Sequence, residues 1–509
     1  MVFSKKRDTA EEKKEDDSQY KSSTNNVITQ NNNNDNALQK NTDTLGLSSD
    51  EILDVVIIGA GWAGISAAAT LKKKGIESFK VLEAKGHIGG RSYTHHENWE
   101  GQDVACDLGS MWIQNAKGNL LNEYIKKYKI PTHVSKFKTR IYQGNGRGAM
   151  EDENYEELQE ELYEEGFYNF QSSRQQLAWF RGDEPLSKTR DAYLAKLKKK
   201  PLKQKLAKVM IRDQIELEYS ASLEELSLMH WNSDSWIGGS NSHDHFVMTG
   251  YSSLVHAYAK DEGIMDKMIT NAPISSIDSS SSDLVVELAL KDGQTSIKAR
   301  RVIVTVPLGV LQANAIEFIP ALPKSHSSAI QRLGMGKMNK IFMFFKSEDV
   351  FWPMPSANFE VLGDVTDRDS TFMFYNSLSF HEEKPALYAF FKGSQVEQIE
   401  QEYANTDPKM YEEKISELAM ECLHSMFGKD IPQPEKVVVT GWKADEYTRG
   451  AYSFNKIGMK SKDREVLTFP IAQGRIHFAG EATHEKYFAT TTGAFLSGRN
   501  AAKKVAKKM

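Results

Sequence analysis

Hydrophobic positions are sparse and unpatterned over residues 1 to about 50, where a mixed-charge run gives way to an Asn/Gln/Ser/Thr tract that includes Asn31 to Asn34. So little apolar surface cannot offset the entropy of ordering, and a disordered tail is expected there. The pattern changes at Asp54. Val55-Val56-Ile57-Ile58 is a short β-branched run ending in glycine, the form of a buried parallel strand. A helix is expected from about Gly64 through the alanines to Leu71, then a second strand from Phe79 to Glu83, which together make a β-α-β unit. From about 150 to 230 the chain is rich in Glu, Lys, Gln and Leu with few glycines and reads as helices inserted away from that unit. Strand patterns return at Leu284 to Leu288, Ala299 to Val306 and Lys340 to Phe345. Residues 409–426 read as helix, Val437 to Gly441 as extended, and Arg475 to Gly480 as a strand feeding a last helix near 493–508.

At 509 residues the chain has room for two or three domains. Its 40% hydrophobic and 26% charged residues exclude collagen-like, wholly disordered and disulfide-scaffold classes. A formal charge of -5 supplies no global field for nucleic acid or an acidic membrane, so neither is expected as a partner. Cys106 and Cys422 stand far apart and outside any Cys/His cluster, which removes metal and disulfide readings. No run of eighteen or more apolar residues occurs, and the N-terminus opens on Lys5, Lys6 and Arg7 instead of an apolar signal core, so the expectation is a soluble, cytoplasmic protein. The ending Lys507-Lys508-Met509 departs from Ser-Lys-Leu at two of its three positions and gives a peroxisomal address little weight.

Gly59-Ala60-Gly61-Trp62-Ala63-Gly64 is GxGxxG placed directly after a buried strand and at a helix start. Gly59 permits the turn, Gly61 lets a pyrophosphate approach the backbone, and Gly64 lets helix pack on strand. The helix N-terminus then offers oriented N–H donors to the anion. Nineteen residues after Gly64, Glu83 ends the second strand, where a carboxylate can accept ribose hydroxyls. The segment Glu83-Ala84-Lys85-Gly86-His87-Ile88-Gly89-Gly90-Arg91 adds a cation able to reach the pyrophosphate.

This last segment resembles the FAD-binding signature of the flavin amine oxidase family. The resemblance continues through Asp107-Leu108-Gly109-Ser110-Met111-Trp112, the strand Arg301 to Val306 with Pro307 to Leu311, and Arg449-Gly450-Ala451-Tyr452-Ser453. It ends in Phe478-Ala479-Gly480-Glu481-Ala482-Thr483-His484-Glu485-Lys486-Tyr487 running into Gly493 to Gly498, a block most similar to spermine and N1-acetylpolyamine oxidases. The blocks cover nearly all of residues 52–505, and their order is more specific than any one of them. The resemblance implies an α/β fold with α+β elements: a Rossmann-like, GR2-type, doubly wound FAD domain from residues 51–130, 246–310 and 431–509. A substrate domain would combine a helical part, 131–245, with a mixed β-sheet part, 311–430, leaving 1–50 as the tail.

By matching positions, the resemblance implies that Gly59, Gly61, Ala63, Gly64, Glu83, Lys85, Gly90 and Arg91 hold the adenosine and pyrophosphate of FAD, with the Ile274 backbone at the adenine. Met111, Trp112 and Trp442 would border the flavin ring, and Gly480 and Glu481 with Thr490 and Thr491 would hold the ribityl and pyrimidine end. Ala451 stands where the monoamine oxidases carry a flavin-linked cysteine, so non-covalent FAD is implied. Lys340 matches the lysine near flavin N5, where partial desolvation would lower its pKa and let it order water or accept a proton. Tyr452 matches one wall of an aromatic cage for amines. The other wall is Thr490 where many relatives have tyrosine, as in animal spermine oxidases and histone demethylases. Gln114 replaces the histidine or glutamate of related polyamine oxidases. Glu216 and Glu218 are candidate carboxylates for a polycation, although residues two apart on a helix cannot both face one point.

The reaction so implied takes a hydride from the carbon beside a secondary amine of a polyamine to flavin N5. Imine hydrolysis then gives an aldehyde and a shorter amine, and O2 is reduced to hydrogen peroxide. The nearest rival is a histone-lysine-demethylase-like enzyme, whose additional chromatin-binding domain or long helical hairpin does not fit in residues 150–230. Carotenoid-desaturase or porphyrinogen-oxidase relatives share the glycine turn but need neither Lys340 nor Tyr452. A non-catalytic flavin-binding interaction protein is the reading from another class, suggested by Gln114 and the half cage.

Overall fold

The computed structural model describes residues 51–134, 139–144, 148–150, 152–234, 243–352, 358–362, 371–376, 385–392, 394–403 and 407–509. The tail expected over residues 1–50 lies outside them.

The first strand, β1 (Ile52–Ile58), buries alternate residues on both faces: Val55 and Ile57 join one core cluster, Val56 and Ile58 another. Burial on both faces is why the run is continuously apolar. After the glycine turn comes α1 (Trp62–Lys73), two residues earlier than the sequence pattern placed it, then β2 (Phe79–Leu82), paired parallel to β1. Every residue of α1 from Trp62 to Leu71 is buried, so it is an interior helix with no solvent stripe.

On the other side of β1 lies β3 (Ser296–Val304), parallel along its length. β3 changes partner midway. Its first residues pair antiparallel with Val286–Leu290, and Val302 to Val304 pair parallel with β4 (Ile476–Phe478). The sheet continues outward through Ile274–Asp278 to Glu317–Ile319 on one edge and ends at Met268–Ile269 on the other. The last helix, α2 (Thr491–Ala506), packs on α1, where Gly498 meets the Ala63 carbonyl so closely that a Cβ would overlap it. Chain ends and middle thus return to one layer.

The second sheet runs Lys436–Val439, Asn339–Phe344, Ala386–Lys392, Thr371–Asn376, Asn358–Val361, Thr139–Tyr142. Its pairings are antiparallel except the last. All six residues of Asn339–Phe344 are buried. Period-two alternation sends Ile341 and Met343 into a core closed by Pro408–Phe427. Lys340, Phe342 and Phe344 take the opposite face, toward Met111 and Trp112. The helical part comprises Asp152–Gln159, Asn169–Arg181, Leu186–Lys196 and Pro201–Ile211, with π-helical stretches at Glu160–Tyr168 and Arg212–Leu217. Among the described residues no helix is long and apolar enough to cross a membrane.

Candidate active site

Two glycine segments form one cradle. Gly89 N–H donates to Ala60 O at 2.8 Å, Gly89 bridges to Gly61, and Gly90, at φ 59°, lies against the Gly61 backbone. A Cβ on Gly64 would overlap the Gly59 carbonyl, so helix and turn touch only because it is absent. At Gly61 and Gly480 the situation differs: a Cβ would meet little or nothing, and the space is open for a ligand. Gly480 has φ 137°, a value L side chains rarely adopt.

The Glu83 carboxylate accepts from Ala60 N (2.7 Å) and Lys85 N (2.9 Å), and burial raises its pKa against these bonds. Backbone bonds from Glu83 N to Ile269 O and from Ala272 N to Glu83 O, both 2.8 Å, lay residues 268–274 along this turn, which brings Ile274 alongside. Arg91 spends one nitrogen on Ala451 O (2.7 Å) and Glu481 (3.0 Å). Among the described residues its other donors take no hydrogen bond. They leave the guanidinium able to take an anion in a cavity lined by Arg91, Pro307, Gly480 and Glu481.

Four of the expected site residues, Lys85, Thr490, Thr491 and Glu216, have partners within the protein. Lys85 reaches across the chain. It is ion-paired with Asp445, and its ammonium lies 5.6 Å from the Trp442 ring centroid. The Thr490 hydroxyl accepts from Gly493 N (2.9 Å) as the N-cap of α2 and donates to Tyr487 O (2.8 Å). Thr491 shares a hydrogen bond with Tyr251 Oη (2.8 Å). Glu216 accepts from the Leu223 N–H (2.9 Å).

Glu481 is an organiser. Its oxygens accept from Arg91, Ser453 N (3.2 Å), Ser453 Oγ (2.6 Å) and Ala489 N (2.8 Å), which fills the capacity of a carboxylate. Burial opposes its charge, but Arg91, Ser453, Arg464 and Ala489 outweigh that and hold its pKa below the usual range. Arg464 was not picked out by sequence. Buried, it donates to Ser453 Oγ (2.8 Å), Ala482 O (2.9 Å) and Asn455. Only the distance between residues 453, 464 and 482 hid it.

The Lys340 side chain, 4% exposed, donates from Nζ to Asp107 O at 2.7 Å and to Gly109 O. Its ammonium is 4.9 Å from the Phe390 ring centroid, and Phe390 stacks on Trp112 at 5.7 Å. Burial pulls the Lys340 pKa down to about 7, with the Asp107 carboxylate pulling the other way. Trp442 closes the same corner, its N taken by Asn339 Oδ1 (2.9 Å) and its Nε1 donating to Leu108 O (3.2 Å). Met111 is buried beside them.

Tyr452 Oη reaches Glu218 O (3.0 Å) and Leu217 O (3.1 Å), and burial raises its pKa. Leu217 belongs to the cluster of Met111, Phe342 and Phe390, so Glu218 leaves the chain at the edge of the wall around Lys340. Glu218 is exposed to solvent, and its charge bears on the Tyr452 phenol. Desolvation of its carboxyl lifts its pKa to about 7, and Asp234 and Asp244 push the same way. Gln114 follows Trp112–Ile113, which pairs with His245–Val247, so the strand register sets it beside Asp244. Asp234 and Asp244 carry no motif: the register reveals Asp244, and a bond from Tyr219 Oη (2.9 Å) places Asp234.

A glycine cradle over a parallel sheet, two helix N-termini and a desolvated lysine against aromatic walls define a flavin-binding oxidoreductase site. Residues 62–506 match the family model described as flavin containing amine oxidoreductase, and the chain belongs to that family. FAD is its cofactor, and with Ala451 in place of a cysteine it is held without a covalent link. The chain is 29% identical over 454 residues to Lysine-specific histone demethylase 1 homolog 3 of Oryza sativa subsp. indica, covering 87% of this chain and 53% of that protein. It is 28% identical over 490 residues to Lysine-specific histone demethylase 2 of Homo sapiens, covering 92% and 56%. The chain thus spans about half the length of these curated relatives. Among solved structures it is similar to a mutant of putrescine oxidase (TM-score 0.67, 18% identity, 90% of this chain and 99% of that one). Cyclohexylamine oxidase from Brevibacterium oxydans matches with TM-score 0.67, 23% identity and the same coverage. Both show the shared fold.

Proposed function

We propose that the protein is a polyamine oxidase that cleaves a C–N bond next to a secondary amine. The observation that carries this reading is Glu218, an exposed residue whose main-chain oxygen accepts from Tyr452 Oη (3.0 Å) and whose charge bears on the Tyr452 phenol, next in the chain to Leu217 of the cluster around Met111 and Phe390. A substrate with two or more nitrogens fits both features. Its distal ammonium pairs with Glu218, aided by the field of Asp234 and Asp244, while its reacting nitrogen, neutral when it reacts, lies against Tyr452 and Trp112.

Gly61, Arg91, Gly480 and the N-terminus of α1 would hold the diphosphate of FAD, and the start of α2 its pyrimidine end. When bound, the flavin supplies a two-electron acceptor that O2 can reoxidise. Lys340 does the proton work of the chain. A neutral amine at Nζ has two N–H bonds for Asp107 O and Gly109 O and aims its lone pair at the open side, whereas the ammonium aims a third donor there. Phe390 lies over the ammonium and packs with Trp112 and Met111, which keeps Nζ dry.

A second reading is favoured by the relatives named as histone demethylases: oxidation of an N-methyl group on a lysine side chain, which is itself an alkylated amine on a four-carbon stem. Release of hydrogen peroxide from spermine, N1-acetylspermine, spermidine, benzylamine and a dimethyl-lysine peptide, with product masses, separates the two. Turnover of the polyamines supports the first reading. Turnover of the peptide alone replaces it with the second.

A further inference from the structure

We propose that Asp107 is a positioning residue for Lys340, its charge deciding which protonation form of Nζ faces the flavin. The inference rests on the reading that Lys340 borders the cofactor.

Asp107 closes the strand Gln102–Asp107 and is fully buried. Its Oδ1 accepts from Thr94 Oγ1 (2.6 Å) and Tyr251 N (2.8 Å), which ties the Thr94–Trp99 strand to the turn before Ser252–Asp261. Those two bonds ask only for one acceptor oxygen, and an amide would serve them equally. Oδ2 has no hydrogen-bond partner among the described residues. A buried carboxylate oxygen left so is costly and calls for an explanation.

Lys340 supplies one. Its Nζ is bonded to the main-chain oxygen of this same residue, and among the described residues no ion pair joins the two side chains. The carboxylate therefore acts on the ammonium through a dry, short stretch of protein, where a charge is felt strongly. The influence is mutual: burial lifts Asp107 to about 6 while Lys340 pulls it back. Few other groups intervene. The neighbouring strands present Phe390 and Thr440, both neutral, Cys106 precedes Asp107 with its thiol near Lys340, and His96 bears on Asp107 from the paired strand. Asp107 is the one carboxylate among the groups that act on Lys340.

The test measures the midpoint potential of the bound flavin against pH, without substrate, in the FAD-loaded enzyme and in Asp107→Asn, Asp107→Glu and Lys340→Met. Proton uptake at Lys340 linked to flavin reduction gives the wild type a break near neutral pH, a property of the coupled pair. Lys340→Met lacks the break. Asp107→Asn, with its melting temperature near that of the wild type, moves it to lower pH by about one unit or more, and Asp107→Glu returns it toward the wild-type position. A break unmoved in Asp107→Asn, or none in the wild type, overturns the proposal. Should Asp107→Asn fail to accumulate, the carboxylate infrared band lost in Asp107→Glu must titrate in the wild type across the same break, and a band constant there overturns the proposal equally. Failure of the polyamine reading looks different, since no amine would then reduce a flavin whose break is intact.

Discussion

In the layer proposed to hold the nucleotide the groups offered to a cofactor are mostly backbone, at Gly61, Gly90, Gly480 and two helix starts; in the layer proposed to hold the substrate they are side chains, Lys340, Tyr452, Glu218 and Gln114, delivered from distant segments. The first arrangement depends on missing Cβ atoms, which allow close packing at Gly64 and leave open space at Gly61 and Gly480. The second depends on charge and reach, and single changes there leave the fold standing while altering chemistry. One architecture holds a constant ligand, and the other is where a family varies its substrate.

The widest gap between the layers is expected from Gly64→Val. Its side chain would overlap the Gly59 carbonyl, and the variant should lose bound FAD and soluble protein together, seen as absence of flavin colour in whatever folds. Lys340→Met should do the reverse, keeping FAD while slowing flavin reduction by amine about 10²-fold or more in anaerobic mixing. Smaller again, Glu218→Gln should raise KM for a polyamine about tenfold with kcat little changed. The wild-type KM should fall as pH climbs through about 7, because the Glu218 carboxyl, lifted there by burial, becomes an anion only above that point; in Glu218→Gln that slope should vanish. Last, Phe180→Ser, at a helix residue 90% exposed, should shift stability by no more than about 0.5 kcal/mol in thermal melts.

The same contrast explains what could be read in the chain. β1, α1, β2 and β3 announce themselves because a sheet buried on both faces needs β-branched runs and a dinucleotide turn needs glycines. Lys340 was legible through its block, and period-two alternation gives it the face it occupies. The π-helical stretch Arg212–Leu217, which parts Glu216 from Glu218, was not, because its register follows from packing. Nor could local pattern show that Lys85 is held by Asp445, 360 residues on, or that Arg464 braces Glu481 through Ser453. Nor does the Asp107-Leu108-Gly109 run show what Asp107 does, since the segments that surround it, leaving its second oxygen without a hydrogen-bond partner among the described residues, come from separate parts of the chain.

The most direct test of a cationic-amine oxidase is anaerobic mixing of the FAD-loaded protein with spermine, followed at the visible flavin band beside benzylamine. The account predicts rapid bleaching by spermine, little by benzylamine, and loss of that preference in Glu218→Gln. Bleaching by benzylamine alone, or by no amine, would contradict it.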